Sequence, residues 1–495
     1  MKRLSVLWTN NKVRSECRIY GDFDPIIESV SFSSHTCSPN SVFIAMQGLH
    51  FDGHAFIGDA IANGAKVIVH SKVLAEYAKK VVYIHHPTPR RIASLFCHTL
   101  AGPLPSSIIG ITGTDGKSTT CDFLYQILQS MGRRCGILST ISMDDGSGLR
   151  DSPYRQSTPE APELYAFLVR CYNNGIQTVL LETTSHGLSV EGARLIDLTF
   201  AGAIFTTITS EHLEFHQTHK RYVEAKMNLA RQVVPGGWVV LPHPFPYYSE
   251  VESAVQSGTR IITYSLDTPQ KQGDIPATTV SSNWHSRTLA LSPSLSISLP
   301  YGPSYYAHNA LGAYVAASKI MGKKIDKSLS LASVPGRFEI VATDDPCTII
   351  IDFAHTADAF ERLFSHLHSY FPHRRLIVLF GAAGERDRSK RFPMGKSAAQ
   401  WCDAIFLTDE DPRQEPPAQI EDEIRQGIES VASKREVFSI PNRQQAIETA
   451  IEFCTSSDIL ILLGKGHEKT IQYPHHQISW NEHDVVANVL QKRSL

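Results

Sequence analysis

The stretch GITGTDGKSTT, residues 110–120, lies directly behind the apolar run SSIIGIT and constrains this chain more than any other feature. Gly110, Gly113 and Gly116 let the backbone fold tightly and aim its N–H groups at phosphate oxygens. A helix starting behind them adds its positive end. In such a loop Lys117 reaches the β/γ-phosphates and the Ser118 hydroxyl coordinates Mg2+. The usual spacing, G-x-x-x-x-G-K-[ST], asks for glycine at Ile111, so this is a variant, G-x-x-G-x-x-G-K-S. A glycine-rich turn with an incidental lysine is the plain alternative. The strand before the loop and the helix after it argue against that alternative and for an α/β fold.

A chain of 495 residues that is 42% hydrophobic is too long for one core, and its length suits several domains. The segments SVFIAMQG (41–48), AKVIVHS (65–71) and VVYIHHP (81–87) read as strands. HAFIGDAIANG forms a short helix ending on Gly64, and a further helix is expected between the second and third strands. AGPLPSS (101–107) reads as a linker. From Ser107 the pattern becomes strand, helix, strand: SIIGIT, the helix TTCDFLYQILQSMG, CGILST, a helix over 160–174, QTVLLETT and AGAIFTTI. Continuous apolar strands alternating with helices predict a parallel sheet covered on both faces. WVVLP and RIITYS extend it, residues 278–300 alternate as antiparallel strands do, and NALGAYVAASKIMG is a helix. A third block, TIIIDFAH, RLIVLFGAAG, AIFLTDEDP and DILILLGKGHE, predicts a doubly wound sheet whose ligands gather at the strands' carboxyl ends. The expected architecture is α/β in three domains: a small mixed α/β unit (1–103), a central P-loop-type parallel-sheet unit (104–333) and a Rossmann-like unit (334–495).

Net charge of −2 gives no polybasic signature, so nucleic acid is not expected as a partner. The nine cysteines lack any C-x-x-C pair, which fits reduced thiols and excludes a thiolate zinc site. The start, MKRLSVLWTNNK, lacks an apolar signal core, and no run approaches 18 apolar residues. A cytoplasmic bacterial protein without stable membrane association is expected, as a monomer.

The blocks downstream of the loop resemble the Mur ligase family, ATP-dependent amide-forming enzymes of peptidoglycan synthesis, and within it the MurE branch. SVFIAMQGLHFDGHAFIGDAIANGA (41–65) resembles its UDP-holding domain, and STPE (157–160) its muramoyl-peptide segment. ETTSHGLS (182–189) is similar to E-x-S-S-H, and TTITSEHLEFH (206–216) to T-N-x-x-x-D-H-L-D-x-H. YVEAK (222–226) ends on the lysine that these ligases carry as a carbamate. HNALGA, PGRFE, DFAHTAD, GERDRSKR and GKGHE complete the order.

The resemblance implies a UDP-MurNAc-dipeptide and a small diamino acid as partners, with ATP, Mg2+ and CO2 (as lysine carbamate) as cofactors. It assigns Gly113, Thr114, Asp115, Gly116, Lys117, Ser118, Thr119, Asn309, Arg337 and Asp352 to ATP. Phe32, Ser34, His50, Ser157, Thr158, Thr184 and Arg194 fall to the UDP-sugar-peptide. Lys117, Glu182, His212 and Lys226 are the expected catalytic residues, and Ser118, Glu182, His212 and carbamylated Lys226 the metal ligands. The bland alternatives are an ordinary solvated lysine at 226, a satisfied structural carboxylate at Glu182 and a domain-interface salt bridge at Arg337. His186 and His216 read as structural or substrate-adjacent. The histidines of THKRY and the pairs 85–86 and 475–476 read as surface residues.

The chain departs from the family pattern at several points. SSH (33–35) stands for D-S-R, Asp115 and Ser118 for Asn and Thr, Thr207 for Asn, Glu211 for Asp, Phe353 for Tyr and Ala357 for Pro. The amino-acid site is expected from Arg386, Asp411, Pro412, Arg413, Gly464 and Glu468. In diaminopimelate-adding members the loop reads D-N-P-R; here it is TDEDPRQEP (408–416), with Asp411 at the Asn position and Glu410 beside it. A carboxylate there repels a distal carboxylate and attracts an ammonium. A bidentate Asp411–Arg413 pair would also withdraw Arg413. L-lysine or L-ornithine is therefore favoured over meso-diaminopimelate. The acids of DEDPR could instead cap the helix at PPAQIEDEI. A folylpolyglutamate synthetase-like ligase lacks the FIAMQGLHFDGH block, and a non-ligase P-loop NTPase needs neither EHLEFH with YVEAK nor GKGHE.

Overall fold

The computed structural model describes residues 1–493 except 49–50, 155, 210, 268–274, 283–285, 344–345 and 432–434. The chain divides into two compact units. The first holds residues 1–279, 289–297 and 308–329, the second 280–288, 298–307 and 330–495. No helix among the described residues is long and apolar enough to cross a membrane.

Two large sheets form the first unit, beside a short antiparallel pair of Lys2–Arg3 and Ile26–Ile27. The smaller runs in the order Arg18–Tyr20, Val82–His85, Ala65–His70, Ser41–Ala45, Ser29–Ser31. It is parallel apart from its first pair, which is antiparallel. In the larger, Gly136–Leu138, Thr178–Glu182, Ser107–Thr112, Phe200–Phe205, Val233–Pro242 and Arg260–Leu266 lie side by side and parallel. All five residues of Thr178–Glu182 are buried, as the unbroken apolar run requires of a strand covered on both faces. Each such Val or Leu contributes about 1.5–3 kcal/mol on burial. Side chains flanking both sheets, among them Ile44, Phe96, Leu164 and Leu241, join one apolar cluster.

The second unit is a sheet in the order Glu339–Ala342, Thr348–Asp352, Asp458–Leu463, Arg375–Phe380, Ala404–Leu407, Glu436–Ser439, parallel except for its first strand. Alternate strand residues feed two cores: Ile350, Val378 and Ile461 pack under Phe360 and Met394, while Ile349, Ile377 and Leu460 pack under Ile447 and Val486. A buried pair closes the unit's base: Arg443 Nε and Nη2 donate to Glu482 at 3.0 and 2.6 Å, and Trp480 Nε1 donates to the same carboxylate at 2.7 Å.

Two expectations fail. No helix forms between His70 and Val82. The segment is instead held by tertiary contacts: Tyr77 stacks on Tyr20 at 4.7 Å and meets Tyr83 edge-on at 4.9 Å, and Ala78 N donates to Tyr83 Oη at 3.0 Å. Nor is the 85–86 pair a surface feature, since His86 is buried and takes Thr88 N on Nδ1 at 2.9 Å.

Candidate active site

The phosphate loop and its helix emerge from the central strand Ser107–Thr112. The helix runs Lys117–Ser130, two residues earlier than its apolar spacing implies, so Lys117 and Ser118 occupy its first turn beside the N–H groups. Gly116, at φ 81°, is its N-cap, and a Cβ there would lie 2.5 Å from Asn309 Oδ1. At Gly113, φ 154°, a Cβ would overlap Thr206 Oγ1. Thr206 in turn donates to Asp115 O at 2.5 Å, and Thr114 Oγ1 shares a 2.8 Å hydrogen bond with Tyr222 Oη. The loop is thus held from behind, which leaves its inner face to a ligand. Lys117 Nζ donates to Thr114 O at 2.6 Å and to Gly113 O at 3.2 Å. Thr119 is buried in the same first turn.

Glu182 is the meeting point. It ends the strand beside the loop strand, Glu182 opposite Ile111. Ser118 Oγ donates to its Oε2 at 2.9 Å, as do Thr140 N and Thr140 Oγ1, each at 2.9 Å. Thr140 Oγ1 also shares a 2.6 Å hydrogen bond with Ser157 Oγ. Behind it, Thr158 Oγ1 donates to Glu182 O at 2.8 Å and receives Thr184 N at 3.0 Å. Arg194 Nη1 donates to Thr158 O at 2.9 Å and Nη2 to Glu160 at 3.0 Å. Arg90 clamps Glu160 with Nε and Nη2 at 2.9–3.1 Å. Arg194 Nε is buried without a hydrogen-bond partner among the described residues. The cluster therefore joins Ser118, Glu182, Ser157, Thr158, Thr184 and Arg194. Glu160 is the last residue of STPE, while Thr140 and Arg90 are additions that no motif had singled out.

Lys226 is only 1% exposed. Its Nζ donates to Gly113 O at 2.6 Å and lies 4.4 Å from the Tyr222 ring centre. Burial, then the charge of Lys117, pushes its ammonium well below the ordinary value, against Glu211, Asp115 and Glu182. The ordinary solvated lysine is ruled out by that burial. His212 is half-buried with positive φ, its Nδ1 3.4 Å from Glu214 Oε1. His216, read from the sequence as structural or substrate-adjacent, is buried against Ser185 Oγ at 3.0 Å, and burial lowers its pKa to about 4. Phe32 packs on the apolar core with Arg90 6.0 Å from its ring centre, and Ser34 is buried. His50 lies outside the described residues.

In the second unit the turn of Gly336 seats on Gly466 and His467. Arg337 lies 4.5 Å over the Phe353 ring. Both Asp352 oxygens accept backbone N–H groups, from Phe338 at 2.6 Å and Ala354 at 2.7 Å. The expected bidentate Asp411–Arg413 pair is not formed; the two groups approach only to 3.8 Å. Asp411 Oδ1 is taken by the fully buried Lys465 Nζ at 3.0 Å and by Gln472 N at 2.9 Å. Lys465 also donates to Glu468 at 2.6 Å. Burial works against this ammonium, but Glu468 and Asp411 outweigh it and hold its pKa up. Glu410 is buried with Oε2 unpartnered beside Gly464, and Pro412 is buried while Arg386 is exposed. The acids of the loop do not cap the following helix, Pro417–Glu429, whose N-cap is Pro416 and whose first turn holds no acid.

Three family models match the chain: "Mur ligase family, catalytic domain" over 26–97, "Mur ligase middle domain" over 111–317, and "Mur ligase, glutamate ligase domain" over 336–466. A UDP-N-acetylmuramyl-tripeptide synthetase of Borreliella afzelii is 39% identical, covering 95% of this chain and 95% of its own. A UDP-N-acetylmuramoyl-L-alanyl-D-glutamate–2,6-diaminopimelate ligase of Clostridium perfringens is 29% identical, over 96% of this chain and 97% of its own. Among solved structures, MurF ligase from Thermotoga maritima in complex with ADP superposes with a TM-score of 0.62 at 18% identity, covering 94% and 98% of the two chains.

Proposed function

The chain belongs to the Mur ligase family, in its MurE branch, and from that premise we propose that it is the ATP-dependent ligase that adds a diamino acid to the D-Glu γ-carboxylate of UDP-MurNAc-L-Ala-D-Glu. The observation that carries this reading is Glu182. Its side chain collects the phosphate-loop hydroxyl of Ser118, and its carbonyl collects Thr158, which Arg194 braces. A nucleotide site and an anion-seeking guanidinium thus share one residue, which a hydrolytic NTPase does not require.

A carboxylate and an amine do not condense unaided, because oxide is a poor leaving group. Transfer of the ATP γ-phosphoryl group to the carboxylate gives an acyl phosphate. Attack by the amine then forms the amide and releases phosphate. The transfer needs alignment and charge stabilisation above all. Lys117, Gly113 and Gly116 with the loop N–H groups supply them, and Asn309, Arg337 and Asp352 remain proposed for the base and ribose. Ser118 and Glu182 are oxygen donors 2.9 Å apart, a fit for Mg2+, which when bound neutralises phosphate charge. His212 and Lys226 are the proposed ligands of a second ion. A neutral, buried Lys226 amine can add CO2, losing a proton to become a carbamate anion. Arg194 Nε, unpartnered, suits a carboxylate of the peptide. The divisions 1–103, 104–333 and 334–495 are proposed as the UDP, ATP and amino-acid domains.

L-lysine or L-ornithine stays favoured, on a changed argument. Asp411 is engaged by Lys465, so the acid with unspent capacity is Glu410. Glu410, Asp411 and Glu468 outnumber Lys465 and Arg413, which suits a distal ammonium. meso-Diaminopimelate is the second reading, supported by Arg413, whose Nε is buried without a hydrogen-bond partner among the described residues. Phosphate release with UDP-MurNAc-L-Ala-D-Glu and each amino acid tests both levels. No dipeptide-dependent release with any diamino acid sinks the ligase reading, and a higher kcat/KM for diaminopimelate reverses the choice of amino acid.

A further inference from the structure

His186, His212 and Glu214 converge in the first unit. His186 lies in the short helix Ser185–Leu188, and Glu214 follows His212 in Leu213–His216. Each offers a ligand atom, and these atoms lie within 4.8 Å of one another. The His186 and His212 rings meet edge to face at 4.7 Å, and His212 Nδ1 is 3.4 Å from Glu214 Oε1. His216, though near, is committed to Ser185 Oγ at 3.0 Å.

The donor set decides which ion suits this place. Mg2+ takes oxygen ligands in near-ideal octahedra and keeps its waters. Two imidazole nitrogens and one carboxylate instead form a three-ligand set of the kind that binds Zn2+ with one position open. With Zn–N bonds of about 2.0–2.1 Å, a tetrahedral site places its donors roughly 3.3 Å apart. The widest pair here therefore has at most about 1.5 Å to close, from the 4.8 Å limit. Glu214 is exposed and both histidines half-buried, so side-chain rotation is available for that closure.

We propose that His186, His212 and Glu214 form a transition-metal site, filled by Zn2+ or Co2+, which inhibits turnover by capturing His212. The binding stands on this geometry alone. The inhibition rests on the role proposed for His212 in the ligase reading.

The test begins with full-length, metal-free protein titrated with Co2+. One equivalent should give a visible d–d absorption band, displaced by Zn2+. His186→Ala and the surface change Glu214→Gln should each weaken binding at least about tenfold, the scale on which even outer partners of metal ligands act. In the phosphate-release assay at saturating Mg2+, Zn2+ should inhibit the wild type. The half-inhibiting concentration, measured against each protein's own uninhibited turnover, should rise at least about tenfold in both variants. Absence of a cobalt band overturns the site. A cobalt band without zinc inhibition, or inhibition undiminished in both variants, overturns the capture of His212. A wild type without ligase activity counts against the proposed function, and the cobalt titration still decides the site.

Discussion

Lys226→Met should separate chemistry from folding. The Lys226 amine is 1% exposed, and its Nζ donates to Gly113 O at 2.6 Å. Its pKa is pushed well below the ordinary value by burial, then by Lys117. Methionine keeps the stem's length and apolar contacts and removes the buried amine. Losing the hydrogen bond costs about 1 kcal/mol, because Gly113 O keeps Lys117 Nζ at 3.2 Å. Folding the wild type strips this group of its proton below its ordinary pKa, at a cost on the order of a few kcal/mol that the variant is spared. In bicarbonate-free buffer near neutral pH, the variant should therefore be as stable as the wild type or up to about 3 kcal/mol more stable. The pH dependence carries the same sign. Between the depressed folded pKa and the ordinary value of 10.5, the unfolded chain binds more protons, so wild-type stability rises with pH through that window. Lys226→Met should lose this rise. Turnover should fall by about 10²–10³-fold or more, the usual cost of one pre-organised charge-stabilising group. Thermal melts at several pH values, beside the phosphate-release assay, measure both effects. Lys226→Ala should regain part of its activity with a short carboxylic acid or high bicarbonate. A methionine variant melting several degrees lower at every pH would refute the argument, and a Lys226→Arg enzyme with wild-type turnover would refute the carbamate.

Glu182→Gln keeps a partner for Ser118 and Thr140 but loses the negative charge, so kcat should drop about 10²–10³-fold while the melting temperature hardly moves; steady-state kinetics with Mg2+ titration checks this. Gly113→Ala places a methyl group against Thr206 Oγ1 at φ 154° and should abolish nucleotide binding in a calorimetric titration even where the protein folds. Glu482→Leu leaves the Arg443 guanidinium buried and unpaired, at a cost of about 3–5 kcal/mol seen as a lower urea midpoint of the second unit.

Much of the fold was legible because its signals are local. Unbroken runs such as TVLLE and DILILL are long enough to be strands, too short for helices, and apolar on both faces, so a covered parallel sheet is the arrangement that satisfies them. The failure at residues 71–81 has the opposite character. KVLAEYAKK is composed of good helix formers, but Tyr77 finds Tyr20, distant in sequence, and Tyr83 on the next strand, and side-chain packing outweighs a propensity of tenths of a kcal/mol per residue. His86 misled for a related reason: the HH doublet looks polar, yet it follows a buried strand and folds back on its own turn.

The site follows the same division. The phosphate loop is a contiguous motif, and Ser118 and Glu182 fall where their strand and helix ends require. Thr140 and Arg90 act through partners 42 and 70 residues away, and neither belongs to a pattern that marks it. The DEDPR loop is the sharpest case. Asp411 and Arg413 are two residues apart, and opposite charges so close suggest a pair. A rival cation decides otherwise: Lys465 is fully buried, where an unpaired ammonium is costly, so it takes Asp411 at 3.0 Å and Glu468 at 2.6 Å. Arg413, 23% exposed, is still partly solvated and can leave Asp411 at 3.8 Å. The more desolvated cation wins the carboxylate. The charge at this loop is therefore set by GKGHE, more than fifty residues downstream, and by Glu410, whose Oε2 has no hydrogen-bond partner among the described residues.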